Sequence, residues 1–108
     1  MKLVMAIIGS DDSATVSSSL TQKGFSVTKL ATTGGFLKSG NTTFLVGTED
    51  DKVDEVISII EKHSRRRTQL MPSTSTAIDV SDYSAFPVEI PVGGATIFVL
   101  NVDRFEKV

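Results

Sequence analysis

Between Thr28 and Phe44 the chain reads Thr28-Lys29-Leu30-Ala31-Thr32-Thr33-Gly34-Gly35-Phe36-Leu37-Lys38-Ser39-Gly40-Asn41-Thr42-Thr43-Phe44, which gathers three glycines, an amide, after Lys29 four threonine hydroxyls and, beside the Gly-Gly pair, the aromatic ring of Phe36. Glycine lets other atoms approach the backbone closely and takes up left-handed conformations, so amide N–H groups in such a tip can cradle an anion. Phe36 offers a flat apolar platform for a base, and Asn41 carries both a donor and an acceptor with which to read a base edge. Residue types alone leave a second reading open, that of a plain Gly-Gly hairpin turn with threonines in its strands. Neither the dinucleotide fingerprint nor the Walker pattern occurs.

Other chemistry finds little support. Cysteine is absent, which removes thiol nucleophiles, thiolate metal sites and disulfides, and His63 is the sole histidine. His63 closes a helical pattern and reads as a solvent-facing residue suited to a helix C-terminus. Asp11-Asp12 and Asp50-Asp51 read as helix starts in preference to metal ligands. No catalytic residue, metal or cofactor is therefore expected, and a small enzyme on this scaffold is disfavoured. Arg65-Arg66-Arg67 reads as a solvated helix end, from which one guanidinium could reach a phosphate. Net charge is −2 and the remaining basic residues are scattered, so DNA and RNA are not expected partners. Met1 to Ile8 is too short for a membrane span and is followed by acids, so it reads as a strand of a cytoplasmic protein.

The elements that would position the Thr28–Phe44 segment follow from periodicity. Leu3 to Ile8 is a near-continuous apolar strand ended by Gly9-Ser10. Asp11, Asp12 and Ser13 offer N-cap side chains for a helix carrying Val16 and Leu20, which Gly24 stops. Phe25 to Leu30, extended by Thr32-Thr33, and Asn41 to Gly47 are two strands expected to pair as a hairpin. Val53, Val56, Ile57 and Ile60 make the apolar stripe of a second helix. Residues 68–86, rich in Ser and Thr and holding Pro72, read as a long loop, suggestive of function or disorder. Val88, Ile90 and Val92, with Pro91 marking an edge or bulge, lead through Gly93-Gly94 into a last apolar strand, Ala95 to Leu100, as a closing hairpin. The order predicts one α+β domain over 1–108, ferredoxin-like (βαββαβ plus a closing hairpin strand), with two helices on one face of an antiparallel sheet. The other face needs cover, which two or three copies packing sheet to sheet would provide.

Ala31-Thr32-Thr33-Gly34-Gly35-Phe36-Leu37, continuing through Gly40-Asn41-Thr42-Thr43-Phe44, resembles the signature of cyclic di-AMP receptors among the PII-like signal-transduction proteins. A second match is Pro87-Val88-Glu89 with Val92-Gly93-Gly94-Ala95-Thr96 and Phe98-Val99. With the opening strand, Thr28-Lys29-Leu30 and Val53-Asp54-Glu55, the likeness spans nearly the whole chain. The resemblance implies a PII-like homotrimer acting as a non-catalytic second-messenger sensor, with a cyclic dinucleotide in each of three clefts between subunits. It implies ligand contacts at Thr28, Gly35, Phe36, Leu37, Asn41 and Gly47, with Phe36 packed on an adenine, Thr28 and Asn41 on base edges, and amides near Gly35–Leu37 on phosphate oxygens. The long loop would report occupancy to a downstream protein.

Two departures stand out. Gly24 and Ser26 stand where family members usually carry an asparagine and an arginine, and Ser73 to Val80 replaces a glycine-rich segment, although Asp82-Tyr83 matches part of its end. Tyr83 and Phe86 would either cover a ligand or anchor the loop to the sheet. The alternative function is a PII-like protein-interaction module with a lost or altered ligand.

Overall fold

The computed structural model describes residues 1–30, 40–71 and 88–108. The elements run β1 (Lys2–Gly9), α1 (Ser10–Gln22), β2 (Val27–Leu30), β3 (Asn41–Thr48), a single 3-10 turn (Asp50–Lys52), α2 (Val53–His63), β4 (Arg67–Met71), β5 (Val88–Val92) and β6 (Ala95–Asn101). Four strands form one antiparallel sheet in the order β2-β3-β1-β6. This is the expected ferredoxin-like α+β arrangement, and it follows from strand periodicity. Val4, Ala6 and Ile8 of β1 are buried, while Leu3, Met5 and Ile7, pointing the other way, are only half-buried.

The buried side is closed by the two helices. Val16 and Leu20 of α1 and Val56 and Ile60 of α2 pack with Val4, Ala6, Ile8, Phe44 and Val46 into one core, with Phe25, Val27, Val53, Ile59 and Ile97 around it. In α2, Val53, Val56 and Ile60 of the expected stripe face the core and Ile59 joins them, whereas Ile57 does not pack in the core; acids in its first turn and Lys62 and His63 in its last suit the helix dipole. Gly24, at φ 92°, terminates α1, and the Phe25 amide then donates back to the Leu20 carbonyl at 3.0 Å.

The structure corrects the sequence expectations in four places. The N-cap of α1 is Gly9, without a side-chain cap, so Asp11, Asp12 and Ser13 sit within the first turn. Arg65 and Arg66 follow α2 and Arg67 begins β4, so the three arginines are not a helix end. Residues 67–71, mostly assigned to the long loop, form a strand; the rest of that loop, including Ser73 to Val80, Asp82, Tyr83 and Phe86, lies outside the described residues. Finally, β5 and β6 do not pair with each other. β5 pairs with β4 as a separate two-stranded ribbon, Arg67 opposite Val92 and Met71 opposite Val88, while β6 takes the edge of the main sheet beside β1. Gly93 and Gly94, at φ 84° and 87°, carry the chain from one sheet to the other instead of folding it back.

Candidate functional site

Side-chain alternation decides which face each candidate residue occupies. On β3, Asn41, Thr43, Leu45 and Gly47 share a face, and the register sets Thr28 opposite Leu45, Gly47 opposite Leu3 and Asn41 opposite Gly9. Thr28, Asn41 and Gly47 are all exposed, and all three lie on the face turned away from the helices. Gly35, Phe36 and Leu37 lie outside the described residues. The structure thus brings three of the six candidates to one surface but not to one point. Along β3, Asn41 is about 14 Å from the position opposite Thr28 and about 20 Å from Gly47, at ~3.4 Å per residue.

Around them the face is apolar. Leu3, Met5 and Ile7 of β1 and Leu45 of β3 are half-buried, and Leu30, Phe98 and Leu100 are exposed. Cross-strand register sets Met5 between Leu45 and Phe98, and Leu3 between Gly47 and Leu100. No helix among the described residues covers this face.

Asn41 also borders a cleft of about 440 Å³ at the end of the sheet where β1 finishes and β3 and β6 begin. Ile7 and Thr96 form part of its wall, the first turn of α1 brings Asp11 and Asp12, and the base of the β4–β5 ribbon brings Arg66, Arg67, Gly93 and Gly94. The Ser10 amide donates to the Gly40 carbonyl at 2.6 Å, fixing the start of α1 against the entry to β3. Across the cleft wall, Arg67 grips Asp12 with both ends of its fork: Nη2 donates to Oδ1 at 3.0 Å and Nη1 to Oδ2 at 3.3 Å. Nη1 also donates to the Arg65 carbonyl at 3.0 Å. The Asp12 carboxylate stabilises the charged guanidinium and raises its pKa further above the ordinary arginine value. No motif could have announced this pair, because its members stand 55 residues apart. Among the described residues, no cluster of three or more histidines and acids could hold a metal ion, and no helix is long and apolar enough to cross a membrane.

The family described as "Cyclic-di-AMP receptor" matches residues 1–108. Among solved structures, the chain is similar to a functionally unknown protein from Pediococcus pentosaceus ATCC 25745, at 43% sequence identity and a TM-score of 0.75, over 99% of this chain and 96% of that one. A two-layer α+β receptor domain is thus the class, and the chain belongs to the cyclic-di-AMP receptor family.

Proposed function

We propose that this chain is a PII-like, non-catalytic sensor of cyclic di-AMP: a single domain that works as a cytoplasmic homotrimer, binds one ligand in each cleft between subunits and signals occupancy to a downstream protein. The observation that carries this reading is the common placement of Thr28, Asn41 and Gly47 on the helix-free face of the sheet. Those positions are too far apart along β3 for one base to touch all of them, which favours a site assembled from more than one copy. The apolar surface between them supplies a reason for copies to associate. In this arrangement Thr28 and Asn41 read base edges, Phe36 stacks on an adenine, backbone amides near Gly35–Leu37 meet phosphate oxygens, and Gly47 admits the ligand close to the backbone.

Isothermal titration with cyclic di-AMP tests the proposal, with cyclic di-GMP and ATP as controls. Saturable binding of one cyclic di-AMP per subunit, and of neither control, is expected. Absence of binding would sink the sensor reading and leave the alternative, an interaction module whose ligand is lost or changed. Gly24 and Ser26 favour that second reading, because the usual asparagine and arginine would place polar groups at the start of β2, close to Thr28.

A further inference from the structure

The β4–β5 ribbon packs on itself and hardly at all on the main sheet or the helices. A two-stranded ribbon is marginal when isolated, so its orientation depends on what grips its base. The described residues show three such grips. The Gly94 amide donates to the carbonyl of Ser64, a residue buried at the end of α2. Arg67 holds the Arg65 carbonyl. Its fork also holds Asp12, and this is the one ion pair among the described residues that joins the ribbon to the main body of the fold. Asp12 is buried, whereas the Arg67 side chain is about half exposed (47%). The carboxylate is thus a fixed anchor and the guanidinium the movable partner. Gly93 completes the arrangement: a Cβ built there would overlap the Arg65 carbonyl oxygen and lie 2.6 Å from Nη1 of Arg67, so no side chain fits beneath the pair.

We propose that Asp12, Arg67 and Gly93 form a latch that sets the angle of the β4–β5 ribbon against the rim of the cleft beside Asn41. Arg67 acts as a positioning residue, and the ribbon behaves as a separately opening unit whose closed state the ion pair favours. The latch rests on contacts within the chain; its bearing on a ligand in the cleft rests on the sensor reading above.

Amide hydrogen exchange of the full-length, ligand-free protein is the test, comparing the wild type with Asp12→Asn and with Arg67→Lys, which keeps the charge but loses the fork. Exchange across 67–71 and 88–92 is expected to accelerate by about three- to tenfold in Asp12→Asn and by less in Arg67→Lys, the scale of a partly exposed bidentate pair. The slow amides of β1 and β3 should stay unchanged. Unaltered ribbon exchange overturns the latch, and so does acceleration of equal size throughout the core, which would mark the pair as a general stabiliser. Should Asp12→Asn fail to fold, Arg67→Lys carries the comparison alone. The latch pattern in the two variants, together with a wild type that binds no cyclic di-AMP, supports the latch and defeats the sensor reading.

Discussion

Ser26 is exposed and directly precedes β2, two residues from Thr28. A guanidinium restored here would stack on a base or donate to it, worth about 1 to 2 kcal/mol, or roughly tenfold in affinity. Ser26→Arg is therefore expected to tighten cyclic di-AMP binding about tenfold by titration calorimetry, and unchanged affinity would place position 26 outside the site. Gly24 differs in kind, since its φ of 92° is reached by few side chains, asparagine being one of the more tolerant, and a Cβ there meets nothing within 4 Å. Phe36→Ala should weaken binding by about 1 to 3 kcal/mol, the usual contribution of stacking a base on an aromatic ring, while leaving the oligomer intact. An affinity equal to that of the wild type would make Phe36 a loop anchor only.

Among elements, α2 was the most legible in the sequence, because its apolar stripe has a single period and a single use. Ile60 is fully buried at the end of that stripe, so Ile60→Ala should cost about 2 to 5 kcal/mol in urea unfolding, whereas Ser58→Ala on its exposed side should be nearly neutral. Similar losses at both positions would contradict the packing described. β1 and β3 were legible for other reasons, β1 as a near-continuous apolar run and β3 as a run of strand-favouring residues. β4 was not, since Thr68 and Leu70 are exposed and a strand standing off the core has no buried face to impose a pattern. The partner of β5 escaped sequence reading as well. Gly93-Gly94 announces a turn but not its destination, and the edge of β1 is better filled by β6, whose Phe98 and Leu100 face Met5 and Leu3. Of the candidate site, the glycine- and threonine-rich tip with Gly35, Phe36 and Leu37 lies outside the described residues. The Asp12–Arg67 pair was not legible in the sequence, because it exists only once α1 and β4 are brought together.

At the scale of the whole molecule, the helix-free face poses a problem that the single chain does not solve. Leu3, Met5, Ile7, Leu45, Phe98 and Leu100 form a contiguous apolar surface by register, and such a surface favours burial against another copy. Phe98 is half exposed in the single chain (51%), so a charge can be placed there at little cost to the monomer's own core. Within a sheet-to-sheet assembly the same charge would be buried without a partner, at a cost of several kcal/mol. Phe98→Glu is thus expected to convert a trimer into monomers in sedimentation velocity while retaining the wild-type circular dichroism spectrum. Loss of cyclic di-AMP binding should accompany dissociation if the clefts lie between subunits, although position 98 is not itself a proposed ligand contact. The wild-type melting temperature should also rise with protein concentration, since association stabilises the folded chain, and that of the variant should not. A variant that stays monomeric yet binds cyclic di-AMP with undiminished affinity would show that one chain holds the complete site.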